Sequence, residues 1–350
     1  MAGRSRKKKS SKSAQWRFAR VGTSCCVYLA LAVYLFQPHF RAVRDTDNLI
    51  VVNMALAAIG CYILTRRWVS SFPASLVAGG VYGFGPYMLG LARCHPSAGL
   101  LAATIPWLFC PAAFCFKHRF KWLRWPLGLL PLAAIVAFFQ ISSHLHFFAA
   151  PSQTALRSKD LIGLLAPLVA AKLRSTHILL GFYHVPVGVL LIGLAMSCAA
   201  RRFAAFTIPV AAVILGVSVP VLEVSPIMWF AIPSVVCAVL VAVGLQGFMV
   251  AGTGDRKWLI LAMTVMAGLS IASLLLATKY FQVFLGLAAG YARLFLLAGK
   301  IYALGAVVMA IIFVMARLKL RAGWLRRCLL LAVAAIDIFV GATYIIDRIL

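Results

Sequence analysis

Long apolar runs separated by short polar turns set the rhythm of this chain. They lie near residues 21–37, 49–65, 72–92, 97–116, 125–142, 177–199, 203–222, 227–250, 258–278, 300–316 and 327–346. Most approach the roughly 20 residues that a helix needs to cross the hydrocarbon core. They are apolar on every face and lack the alternation of a membrane β-barrel strand. The pattern predicts an all-α fold, a polytopic integral membrane helical bundle of about eleven transmembrane helices. Residues 21–350 form a single transmembrane helical domain in this reading, because no interval between the runs could hold a soluble one.

Two stretches do not fit a simple span. Residues 143–176 contain a short apolar segment interrupted by Pro167 and flanked by Arg157, Lys159, Asp160, Lys172 and Arg174. An interfacial or re-entrant helix on the outer face is expected there. Residues 279–299 are long enough to cross but carry Arg293, and counting them as a span would place the basic cluster at 317–327 outside. They are expected to fold back at the external interface, so that both stretches roof a cavity between spans and Arg293 faces that cavity.

Charge then orients the bundle. Against 34 Lys and Arg stand only 7 Asp and Glu, a formal net charge of +27, in a chain that is 63% hydrophobic with a mean hydropathy of +0.98. In a soluble protein that balance would suggest nucleic acid, but here 23 of the 34 basic residues fall in the tail 1–20 and in alternate turns, at 66–67, 117–124, 201–202, 256–257 and 317–327. Such asymmetry is how the positive-inside rule marks cytoplasmic loops. The N-terminus is expected in the cytoplasm, the C-terminus outside, and no nucleic-acid partner is implied. Residues 1–20, Ser-rich and basic, are expected to be a disordered cytoplasmic tail near acidic lipid headgroups. Residues 21–37 read as an uncleaved signal anchor.

Cysteines such as Cys25, Cys61, Cys110, Cys198 and Cys237 sit inside apolar runs, where they act as small hydrophobes. Neither a disulfide framework nor a metal or cofactor site is indicated. His144 and His146 would point to different faces of a helix, which disfavours a metal pair. The Gly-rich run at 79–87 has no strand before it and no Lys after it, so close helix packing explains it better than a phosphate loop. Prolines inside the runs, including Pro86, Pro106, Pro186 and Pro233, mark kinks or broken helices.

Ionisable groups inside a membrane are costly, so the seven acids are the short list for chemistry: Asp45, Asp47, Asp160, Glu223, Asp255, Asp337 and Asp347. Asp45 and Asp47 lie in the first external loop beside Arg41 and Arg44. A carboxylate at a membrane boundary can act as a general base, and guanidinium groups can bind phosphate; mutual neutralisation in a solvated loop is the alternative. Asp337 lies within the last span, where it serves either a polar transport pathway or a hydrogen-bonded contact between helices.

The stretch 48–109 carries, in order, Asn48, Gly60, Tyr62, Gly79, Phe84, Pro86, Tyr87, His95 and Pro106. In that order it resembles the early spans of bacterial GT-C-type membrane glycosyltransferases, in the branch that glycosylates cell-envelope polymers. The resemblance implies a GT-C-like arrangement, a polyprenyl-phosphate-linked sugar donor and a catalytic carboxylate in the first external loop. Asp47 would be the base and Asp45 its alternate. Arg41, Arg44, Arg93 and Arg293 would be candidates for the donor phosphate, and the bacterial cytoplasmic (inner) membrane the location. Members of that family usually have a longer first loop and a soluble external domain, and this chain departs from both. A reduced relative, a transporter or lipid flippase, and a non-catalytic membrane assembly subunit are the alternatives.

Overall fold

The computed structural model describes residues 2–39, 47–114, 121–145, 162–173, 179–200, 206–217, 222–251, 255–318 and 323–349. Among them the regular structure is helical throughout. The helices are α1 (Ala2–Phe36), α2 (Asp47–Thr65), α3 (Phe72–Gly83), α4 (Pro86–Cys94), α5 (Pro96–Phe114), α6 (Arg124–Gly128), α7 (Leu130–Leu145), α8 (Ile162–Leu165) and α9 (Pro167–Leu173). They continue as α10 (His184–Ala199), α11 (Thr207–Val217), α12 (Pro226–Trp229), α13 (Ala231–Val250), α14 (Arg256–Leu276), α15 (Lys279–Phe284), α16 (Ala292–Arg317) and α17 (Gly323–Ile349).

Among the described residues, six helical segments are long and apolar enough to cross a membrane: 19–36, 96–114, 226–250, 256–276, 289–317 and 323–347. Shorter apolar helices lie at 49–65, 130–142, 184–199 and 207–217. Burial separates the centre from the rim. In the segment containing α13, 72% of the apolar window is buried, against 28% for α14, whose Ile260, Leu261, Ile271 and Leu275 stay exposed. An apolar helix with an uncovered apolar face suits lipid, since hydrocarbon chains are as apolar as its leucines.

Small residues bring the central helices together. A side chain at Gly79 would strike the Tyr28 hydroxyl and the Ala58 carbonyl, and one at Gly83 would meet Ala58 and the Met54 carbonyl. The Gly-rich run thus seats α3 against α2, as a packing role requires. Gly193 and Gly244 do the same for α10 and α13, where each backbone lies against the other.

The bundle has two recognisable ends. α2 runs from its start at Asp47 to the turn Arg66–Ser71, and α5 runs parallel to it: Asn53 donates to the Pro96 carbonyl (3.0 Å), and lower down Trp107 donates to the Leu56 carbonyl (3.1 Å). At the far end Gln246 of α13 accepts from the Ser71 N–H (3.0 Å), and Arg326 of α17 donates to the Ala251 carbonyl (2.6 Å). This second end gathers Arg66, Arg67, Arg256, Lys257, Arg317, Arg326 and Arg327, and is called the basic end below.

The backbone of α1 is continuous from Ala2 to Phe36; the Lys, Arg, Gln and Ala of its first half are good helix formers carried on from an apolar span. Two expectations need correction. Residues 279–299 do not fold back as a unit. They form α15, a turn with Gly286 at φ 65°, and then the first two turns of α16, which runs unbroken to Arg317. A single Arg at a helix start can reach the interface and so does not stop a span. The described part of 143–176 is also no roof. Ala166, Leu168, Val169 and Ala171 are buried, and α9 packs against α16 and α17.

Candidate functional site

Asp337 lies 14 residues after the start of α17 and 12 before its end, near the middle of the bundle. Its carboxylate accepts from the backbone N–H of Val185 (2.6 Å) and pairs with Nδ1 of His184 (2.9 Å). Both side chains are sealed from solvent, at 1% and 0% exposure. Val185 and His184 open α10, so the carboxylate caps a helix N-terminus, where unpaired N–H groups and the helix dipole favour negative charge. With the imidazole proton on Nδ1 the pair is a donor–acceptor contact, and Nε2 is left buried without a partner. The ring of Tyr302 packs edge-on against His184 (5.2 Å between centroids).

α10 begins here, deep in the bundle, because the chain enters it through an extended segment, 179–183, and not from an end. Gly181, at φ 157°, lies against the Gly163 carbonyl, leaving no room for a side chain. From this depth α9 climbs toward the Asp47 end, where Lys172 donates to the Gly290 carbonyl (3.1 Å) and sits over the Tyr291 ring (4.6 Å). Residues 162–165 and 179–183 thus lie together deep in the bundle, where Gly163 meets Gly181, while α9 reaches the Asp47 end. The two stretches that fit no simple span meet at Lys172 and Tyr291.

Helix interruptions surround this point, and tyrosines satisfy them. The α3–α4 break frees the Phe84 carbonyl, which accepts from the Tyr183 hydroxyl (2.5 Å). The α8–α9 break frees the Leu165 carbonyl, which accepts from Tyr302 (2.9 Å). At the α12–α13 break the Ile227 carbonyl accepts from Tyr87 (3.0 Å). Backbone groups that water cannot reach must find such partners. Gly341, one turn beyond Asp337, leaves the room that the Tyr183 ring fills.

The sequence-derived candidates sit elsewhere. Asp45, Arg41 and Arg44 lie outside the described residues, and Asp47 is the first residue of α2, its side chain likewise outside the description. Arg93 is partly buried in the last turn of α4. Arg293 is exposed in the first turn of α16, so it does not face an interior cavity. Asp47, Arg93 and Arg293 nevertheless share one end. α3 and α17 run parallel, with Gly80 at Ile338 and Phe84 near Gly341 through Tyr183. α16 is joined to α17 at the basic end, so its first turn lies at the opposite end with Arg93 and the start of α2.

One cavity of about 490 Å³ opens at the basic end, lined mainly by apolar side chains of α2, α5, α6, α10, α11 and α13. Its lining includes neither Asp337 nor Arg93 or Arg293, so this cavity and the buried ionisable pair are separate features. Among the described residues no group of three or more His, Cys, Asp or Glu could hold a metal ion.

Comparison with protein-family models, curated proteins and solved structures returns no match for this chain. Fold and site therefore rest on the residues themselves. The pairing of His184 and Val185 with Asp337 has a sequence signal only on the acid's side: an intramembrane Asp stands out in the sequence, but its partners lie 153 and 152 residues away.

Proposed function

We propose that this is a membrane glycosyltransferase-like protein of about eleven crossings, in a GT-C-like arrangement, that takes sugar from a polyprenyl-phosphate donor in cell-envelope glycosylation. Its basic end faces the cytoplasm of a bacterial inner membrane, by the charge asymmetry of the loops. Its chemistry belongs to the opposite end. The observation that carries this reading is the gathering there of the α2 start at Asp47, Arg93 and Arg293, three elements far apart in sequence. The resembling stretch 48–109 supports it by folding as one packed unit, α2–α5, which presents Asp47 and Arg93 at the same end.

In the proposed reaction Asp47, or Asp45 beside it, takes the proton of the acceptor hydroxyl while its oxygen bonds to the anomeric carbon. The bond from that carbon to the phosphate oxygen breaks, and polyprenyl phosphate leaves with its charge met by Arg41, Arg44, Arg93 and Arg293. The state of Asp337 speaks against a transporter. A coupling acid needs a polar pathway, whereas this one is sealed between a helix N-terminus and an imidazole.

The test is consumption of a polyprenyl-phosphate sugar by the purified chain in lipid. Wild type should transfer sugar and Asp47→Asn should lose transfer with expression intact. Retained transfer in both Asp47→Asn and Asp45→Asn removes the assigned base. A wild type that neither binds nor consumes such donors leaves a non-catalytic assembly subunit as the better account.

A further inference from the structure

The cavity at the basic end has the anatomy of a lipid site. Its walls are apolar, with Phe109, Ile208 and Val239 among them, and along α13 it extends from Val235 to Val243. At about 1.5 Å per residue that is roughly 12 Å of depth along one helix. Among the described residues, Arg67 is the one charged side chain in the lining, and no acid lines it. Arg67 is exposed at the turn after α2, next to Trp68. Trp68, Trp122 and Trp125 are 48%, 68% and 56% exposed at this end. Tryptophans of this kind favour the headgroup level of a membrane, so the mouth lies at that level and the walls at the level of the acyl chains.

We infer that the cavity holds an acyl chain of one anionic phospholipid, whose phosphate is bound by Arg67. The volume of 490 Å³ falls within the range of roughly 300–1,000 Å³ typical of small-molecule sites. The charge is complementary, since a cation at the mouth of an apolar slot matches an anionic head on an apolar tail. Arg66, its neighbour, is turned away to the Ser70 carbonyl (2.6 Å), which leaves Arg67 to the headgroup. The partly apolar helix ends α5, α10 and α11 meet around the slot without closing it, and a lipid chain supplies the missing packing. This site lies at the end away from Asp47 and does not depend on the sugar-transfer reading.

The experiment is native mass spectrometry of the purified full chain released from bilayers containing equal phosphatidylglycerol and phosphatidylcholine. One phosphatidylglycerol should stay bound per chain in preference to phosphatidylcholine. Arg67→Gln, a change at an exposed position, should cut that preference about tenfold while leaving the melting temperature in place. Val239→Phe, which fills the slot, should reduce retention of both lipids, and soluble glycerol phosphate should displace neither. Equal retention of the two lipids by wild type, or an unchanged preference in Arg67→Gln, would overturn the assignment. Displacement by glycerol phosphate would overturn it too, since a headgroup site without a chain slot would then suffice.

Discussion

Helix ends at the mid-bundle junction and at the basic end, two of the places where described helices stop, are finished differently. At the mid-bundle junction the freed groups are met by protein: the Asp337 carboxylate receives His184 and the Val185 N–H, and Tyr183 and Tyr302 satisfy the Phe84 and Leu165 carbonyls. At the basic end the helix ends are spaced around an apolar slot of about 490 Å³ with Arg67 at its mouth. The first place is closed by hydrogen bonds that hold helices together. The second is open to an amphiphile. Polar residues in the middle of a membrane protein thus need not mark a substrate path; what decides is whether their bonds are completed internally.

The largest effect should follow from breaking the closed place. Asp337→Leu strands the Val185 N–H and the His184 ring in an apolar interior, which should cost roughly 3 kcal/mol or more. Thermal or chemical unfolding in detergent would measure it, and a near-neutral result would mean that the junction is not sealed as described. Tyr183→Phe removes one hydroxyl bond to the Phe84 carbonyl and should cost about 0.5–1.5 kcal/mol by the same measurement. The smallest effect belongs to the open place. Val239→Phe fills space that is otherwise empty of protein and should change stability by less than about 1 kcal/mol. A loss as large as that of Asp337→Leu would show the slot to be packed core.

Much of the architecture was legible because it follows from the length and spacing of apolar runs. Helices cover most of the described part of the expected stretches, six of them long and apolar enough to cross a membrane, and the Gly-rich run at 79–87 packs as small residues do. The segment around α9 was legible as an anomaly, a short apolar stretch beside Pro167 with charges around it. Its depth was not, since burial of Leu168 and Val169 depends on α16 and α17, which follow more than a hundred residues later. Arg293 misled in the other direction: a lone charge read as a barrier to crossing stands at the first turn of a long helix, where it can reach the interface. Asp337 was visible as costly, while its partners were hidden. His184 and the three tyrosines that close helix breaks carry no local pattern, because each bond joins distant segments. The candidate base and its arginines were readable only as loop composition beside a family resemblance.

Asp337 holds helices together, while under the proposed function Asp47 would carry the chemistry. The most direct test compares Asp337→Asn and Asp47→Asn in one preparation, scoring melting temperature and sugar transfer per folded molecule from a polyprenyl-phosphate donor. Asn at 337 keeps an acceptor for the Val185 N–H but loses the charge, so it should lower the melting temperature and leave transfer per folded molecule within about twofold. Asn at 47 should abolish transfer at an unchanged melting temperature. The reverse pattern, with transfer lost in a fully stable Asp337→Asn and kept in Asp47→Asn, would contradict the account and move the chemistry to the buried pair.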